Sequence, residues 1–333
     1  LRLIRDEPPS SIDCLPFVAL PSGFGTGRQG ADELLRHAHQ LEDIRSPNSP
    51  PFRLEATFSF TGDDFETVQG TYTELWVSNS QWRRETVVGD AKRIEIGGVG
   101  KRWLVYPQGF PPKTEKLPDI MTMFPAASAR LAFDSIKERQ SGSTVAECAI
   151  AGPAVEDRNF VFCFDQKSGV LLEGVVPERR PKNVVTFSCE YGAVREFAAH
   201  WFPRDIACWE DRHQSISARV VEISTANRLD SSLFTPPGDA IELGVCSGKI
   251  VPPVLYAYAF ITPWNLDQIA WLRSWLVVDA KGKPKDLRLL RSFDKASYAG
   301  ANNILRSLSF KAGTCDGQPM PMAATIFIPF LTR

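Results

Sequence analysis

Charge imbalance is missing from this chain: 38 Lys and Arg stand against 39 Asp and Glu in 333 residues, a formal net charge of -1. A surface so balanced argues against nucleic acid or an anionic membrane as the main partner. Long apolar runs are missing too. The longest, Val251 to Trp264, holds three prolines, and it falls short of the roughly 20 apolar residues that a membrane-spanning helix needs. No pair of cysteines has the C-x-x-C spacing of a zinc or redox site, and the four histidines (His37, His39, His200, His213) lie far from most of the cysteines. No metal or other cofactor is therefore expected. A G-x-S-x-G nucleophile elbow is absent as well. The chain opens on Leu1 without a charged-then-apolar leader, so a signal or anchor segment is expected to have been removed already.

What is present is ordinary globular composition, 43% hydrophobic and 23% charged, enough for two cores at roughly 100–200 residues each. Residues 1–30 are rich in Pro and Gly and read as an irregular lead-in. A helix is expected over Ala31–Leu41, stopped by the Pro-rich 46–51. Phe52, Leu54, Ala56, Phe58 and Phe60 then alternate with polar residues, the period of a strand packed on one side and wet on the other. Further strand runs at 70–78, 81–88, 93–96 and 102–106 are separated by Gly, Asp and Asn, which favours an antiparallel meander. A helical interruption is expected from Pro118 to about Arg139, broken at Pro125. Strands resume at 143–150, 159–164, 170–176, 183–190, 204–210 and 215–224.

Residues 241–333 form the expected last unit, with 11 Lys and Arg against 6 Asp and Glu. Strand, turn, strand, helix (about Asp294–Leu308) and strand follow one another there. The expected division is thus a lead-in with one helix over 1–44, a sheet domain over 45–240 and a small domain over 241–333. The fold class is α+β.

Seven cysteines suggest a compartment. Cys148 and Cys163 lie in successive strand runs joined by Ala151-Gly152-Pro153, and Cys189 and Cys208 repeat the arrangement. Cys246 and Cys315 would make a longer-range pair, leaving Cys14 over. Closing a 15-residue loop stabilises by about 3 kcal/mol in the chain-entropy model, and such bonds persist in a periplasm or outside a cell. Buried free thiols are the alternative.

Three motifs read as plain structure. Gly25-Thr26-Gly27-Arg28-Gln29-Gly30 has dinucleotide-loop spacing, but a meander follows it instead of a βαβ unit. His37 and His39 stand two apart on a helix and point away from each other. Glu210-Asp211-Arg212-His213 falls between two strands, where a solvated turn belongs.

The segment Ser274-Trp275-Leu276-Val277-Val278-Asp279-Ala280-Lys281-Gly282, with Arg291-Ser292 and Asp316-Gly317-Gln318-Pro319, resembles the TonB C-terminal domain family. Leu308 stands where that family has Trp, and Ala312 where it has Pro. The resemblance implies a β-β-α-β domain whose last strand docks a protein partner by strand addition; Ala323, Thr325 and Phe327 are the expected partner-binding residues. More loosely, residues 45–240 resemble the LolA/LolB-like lipoprotein carriers, through the helix before Phe52, the meander with its insertion, Phe164-Asp165-Gln166-Lys167-Ser168-Gly169 and Phe202-Pro203-Arg204. That resemblance implies a curved antiparallel half-barrel with helices plugging one face.

Phe58, Phe60, Tyr72, Trp76, Trp82 and Trp103 recur along successive strands. They are either core beneath the helical insertion or the wall of an apolar pocket, for which Leu54, Phe58, Phe60, Trp76 and Trp103 are the candidate residues. A buried acyl chain would gain about 0.8 kcal/mol per CH2 there. The expected function is a non-enzymatic periplasmic or otherwise extracytoplasmic binding protein whose TonB-like module docks a protein, as a subunit of an envelope assembly. The alternative is a carrier of lipid or lipoprotein acyl chains, and a hydrolytic enzyme is the third reading.

Overall fold

The computed structural model describes residues 28–61, 66–107, 109–123, 131, 133–141, 144–155, 158–179, 184–246, 248–256, 269–289 and 305–331. Cys14, Gly25 and Gly27 lie outside them. Helix α1 spans Arg28–Glu42, three residues longer at its start than the periodicity predicts. Five strands follow: β1 (Phe52–Thr61), β2 (Thr67–Ser78), β3 (Gln81–Val88), β4 (Ala91–Gly98) and β5 (Lys101–Val105). A 3-10 turn at Pro112–Lys116 leads into the short helix α2 (Leu117–Thr122). Then come β6 (Phe133–Ser141), β7 (Thr144–Val155), β8 (Arg158–Asp165), β9 (Leu171–Arg179), β10 (Val184–Gly192), β11 (Arg195–Phe197), β12 (His200–Phe202), β13 (Asp205–Glu210), β14 (His213–Thr225) and β15 (Ile241–Gly244).

All of these strands except the β11–β12 hairpin form one antiparallel sheet, in the order β15-β5-β4-β3-β2-β1-β14-β13-β10-β9-β8-β7-β6. Two meanders therefore meet where β1 pairs with β14. The expected helix through Arg139 is corrected: it ends at Thr122, and 133–141 is strand β6. Lys137, Glu138, Arg139 and Gln140 are good helix formers, but pairing with β7 overrides that preference. Charged residues also suit this position, because β6 is the sheet's outermost strand and charge deters unwanted pairing.

The alternation in β1 sorts the two faces as expected, with Phe52, Leu54, Ala56, Phe58 and Phe60 all buried. They join one core with Ala31, Leu35 and Ala38 of α1 and with Leu117, Ile120 and Met121 of α2. The helices cover this face of the sheet. Glu42 accepts a hydrogen bond from the Leu171 N–H on β9, while Arg45, three residues on, grips Glu74 on β2. Those strands are five steps apart in the sheet, so the segment after α1 ties distant strands together across the helix-covered face.

The last part of the chain contains β16 (Ile250–Val251), β17 (Val254–Leu255), β18 (Ile269–Val278), β19 (Pro284–Leu289), β20 (Phe310–Lys311), β21 (Thr314–Cys315), β22 (Gln318–Pro319) and β23 (Met322–Leu331). A three-stranded antiparallel sheet runs β19-β18-β23. Most of the expected helix at 294–308 lies outside the described residues; a helical turn remains at 305–307. One face of this sheet buries Leu276, Val278 and Leu289 with Leu305, Leu308 and Phe310. The other presents Trp275 and Val277 to Leu104, Tyr106, Phe110 and Leu243. Trp275 stacks on Tyr106 with ring centroids 5.1 Å apart. The expected boundary at 240/241 falls just ahead of β15, which hydrogen-bonds to β5 of the large sheet.

Candidate functional site

Three disulfides link the cysteines in the expected pairs, Cys148–Cys163, Cys189–Cys208 and Cys246–Cys315. The first two join directly opposed residues of neighbouring strands. They lie on opposite faces of the sheet: Cys189 and Cys208 belong to the helix-covered core, Cys148 and Cys163 to a small cluster with Ala146.

The helix-covered face has two chemically distinct halves. Toward β2–β5 it carries buried charge. Glu74 is fully buried and takes Arg45, Arg84 and the Tyr72 hydroxyl as partners. Burial alone would raise its pKa, but the two guanidiniums pull it down to about 2. Glu95 pairs with Arg93 nearby.

Toward β8–β10 the same face is apolar, and there α2 leaves a cavity of about 90 Å³. Ile120 and Met123 close it on the helix side, while Phe162, Val176, Phe187 and Tyr191 form the sheet side. At its rim the Lys116 ammonium lies 2.8 Å from both Glu178 carboxylate oxygens and 3.5 Å from Glu210. It also stands 3.6 Å from the centre of the Phe187 ring. Lys113 donates to the Thr61 carbonyl, and Arg45 to that of Met121. The plug formed by 112–123 is thus tied by polar bonds around its edge and rests on apolar side chains beneath.

The larger hollow, about 1180 Å³, is an open groove lined by residues such as Thr57, Ser59, Thr71, Glu173, Glu190 and Arg219. Apolar residues, among them Leu172, Ile206 and Ala207, are interspersed with the charged ones along it.

Leu54, Phe58, Phe60 and Trp76 sit where the alternation puts them, on the helix-covered face with Tyr72. They are packed core, and none lines the cavity under α2. Trp103 is corrected. It pairs with Ile96, then Arg83, Leu75 and Arg53 across the ladder, so it projects from the face opposite Leu54. Strand parity decides this, and parity over five strands depends on every turn length between them.

Ala323 and Thr325 are half-buried opposite Val277 and Trp275, on the sheet face that packs toward Tyr106. Their side chains are partly shielded by that packing. Phe327 pairs with Arg273 through its backbone, and its side chain lies outside the described residues. Among the described residues β23 is hydrogen-bonded to β18 on one side.

His200 hydrogen-bonds Ser49 and the Gln40 carbonyl. Asp211 and Arg212 form the expected turn between β13 and β14. Among the described residues no cluster of His, Cys, Asp and Glu could hold a metal ion, and no helix is long and apolar enough to cross a membrane.

Local sequence patterns do not reveal Lys116, Glu178 and Phe187, which come together from three separate segments.

No known family profile matches this sequence, that of the TonB C-terminal domain included, and no curated protein matches it. Solved structures do. A domain assigned provisionally to outer membrane lipoprotein sorting, from Vibrio parahaemolyticus, aligns with a TM-score of 0.42 and 10% identity, over 61% of this chain and 97% of its own. A LolA superfamily protein from Nitrosomonas europaea gives 0.42 and 10%, over 62% and 97%. A DUF1329 family protein from Desulfovibrio piger gives 0.45 and 9%, again over 62% and 97%. All three scores lie below 0.5, and the role of this chain is read from its own geometry.

Proposed function

We propose that the large sheet carries an apolar chain, such as the acyl chain of a lipid or lipoprotein, beneath the 112–123 plug, in an oxidising compartment outside the cytoplasm. One observation carries this reading: the plug makes polar bonds along its rim and covers a largely apolar floor around an existing cavity. Lifting it would break the Lys116 contacts with Glu178 and Glu210 at the rim and the apolar contacts beneath, and an incoming chain restores the apolar part. At about 90 Å³ the cavity is smaller than the roughly 300–1,000 Å³ of ligand pockets, so loading requires the plug to move. Met121 and Met123 suit that movement, since unbranched thioether side chains repack readily. The three disulfides support the compartment.

A photoactivatable tetradecyl probe tests the site. Cross-links are expected on residues 117–123 and on β8–β10. Labelling confined to the open groove would overturn the assignment.

A second reading concerns β23, which among the described residues has one hydrogen-bonded neighbour and so offers an edge where a partner segment could add a strand. A cross-linker at position 325 or 327 should then capture an extended segment of another protein.

A further inference from the structure

The balanced charge of the whole chain conceals a division. Residues 241–333 carry 11 Lys and Arg against 6 Asp and Glu, so the acidic excess lies entirely in residues 1–240. Within the basic part, residues 250–256 run as one ribbon. β16 pairs with β21 and β17 with β20, and the Tyr256 N–H donates to the Ser309 carbonyl, all in a single register. The side chains of the ribbon alternate. Leu255 packs with Phe310 on the core of the small sheet. On the other face Ile250 and Pro252 are exposed, as are Val254 and Tyr256 at 53% and 67%. At the rise of a strand this apolar stripe is about 20 Å long. Lys311 stands directly opposite Val254 on the same face, and Lys283 reaches the Ser309 hydroxyl beside Tyr256 at 3.4 Å. At the other end Asp316 accepts the Lys249 N–H. The Cys246–Cys315 disulfide brings Val245 to the head of the stripe, where its N–H bonds the Gly100 carbonyl next to Val99. Both valines are exposed.

We infer that the exposed face of the 250–256 ribbon docks the protein on an anionic bilayer. Single exposed apolar residues are ordinary, but a continuous row of them marks a surface that meets something. Aliphatic side chains and a tyrosine suit the boundary between head groups and acyl chains. Lys311 and Lys283, on one flank of the row, suit anionic head groups above that boundary. A protein segment adding as a strand fits this ribbon less well. Because Tyr256 directs its N–H to Ser309, the outward N–H groups belong to residues 251, 253 and 255, and Pro253 lacks one. A bilayer asks for no such ladder. The inference stands apart from the carrier reading, which concerns the large sheet.

Vesicle flotation of the disulfide-intact full chain tests this, with pure phosphatidylcholine vesicles against vesicles that are one-third phosphatidylglycerol. At about 50 mM salt the anionic vesicles are expected to bind about tenfold more protein than the neutral ones, and about 300 mM salt should remove most of that difference. Val254→Ser/Tyr256→Ser and Lys311→Glu should each lower binding about fivefold. All three side chains are exposed, and an unchanged near-ultraviolet circular dichroism spectrum shows that the fold persists. Should the double variant not fold, Tyr256→Ser alone serves. Lys167→Glu, the same charge change on the turn between β8 and β9, should leave binding as it was. Equal binding to the two kinds of vesicle would overturn the inference. So would binding that survives Val254→Ser/Tyr256→Ser, or a loss on Lys167→Glu that matches the loss on Lys311→Glu. Capture of an extended protein segment along 250–256, without vesicle binding, would overturn it as well. Each of these outcomes leaves the carrier reading intact, since the tetradecyl probe tests that separately.

Discussion

Arg45 and Glu74 form an ion pair in which the carboxylate is wholly buried and the guanidinium nearly so, at 11% exposed. The pair fastens the segment after α1 to β2. Removing one partner of a buried pair leaves a charge without compensation, which costs about 3–5 kcal/mol. Arg45→Ala is expected to destabilise by less than that, because Arg84 still faces Glu74 at 3.2 Å, measured by urea unfolding at pH 7. Glu74→Met should cost more than the Arg45 change, because it takes the carboxylate from both Arg45 and Arg84. The acid limb has a definite direction. Glu74 has a folded pKa of about 2, below its ordinary value of 4.5, so its contribution is complete above about pH 4.5 and is lost as pH falls toward 2.

Glu42 gives the opposite pH dependence. Its carboxyl accepts the Leu171 N–H through one oxygen, while the other has no partner. Burial raises its pKa to about 8, against a smaller lowering by the Leu171 bond. A folded pKa above the unfolded value means that stability is fully present below about pH 4.5 and declines as pH rises through 8. Glu42→Gln keeps the acceptor and cannot ionise. Relative to the parent chain it should gain on the order of 3 kcal/mol at pH 9 and nothing at pH 4. Paired unfolding curves at the two pH values check this; equal gains at both would refute it.

Non-reducing peptide mapping should recover the three cross-links, with Cys148–Cys163 and Cys189–Cys208 each joining adjacent strands. Replacing Cys148 and Cys163 together by Ser is expected to cost about 2–4 kcal/mol. A mapped pairing of Cys148 with Cys189 would contradict the strand order.

Local periodicity made much of the large sheet legible. Phe52 to Phe60 alternates because one face of β1 is buried and the other is wet, and the cysteine pairs lay in runs close enough to be neighbours. What escaped was whatever depends on partners. β6 reads as helix because Lys, Glu, Arg and Gln favour helix locally, and only its place at the sheet edge makes it a strand. Trp103 was put on the wrong face because parity carries through every intervening turn. The rim of the cavity was invisible for the same reason: Lys116 meets Glu178 and Glu210 only after β9, β10 and β13 have paired. Ala323 and Thr325 follow a strand alternation that says which residues share a face and leaves open which face is covered.

The junction of β1 with β14 sets an order of assembly. Phe52 waits for Thr225, 173 residues downstream, and at about 5–20 residues per second that delay is roughly 10–35 s of synthesis. Throughout that interval β1 presents a bare hydrogen-bonding margin and five apolar side chains to its surroundings. A newborn chain of this kind should depend on an escort that shields β1, and truncations ending before residue 213 should aggregate where the whole chain does not.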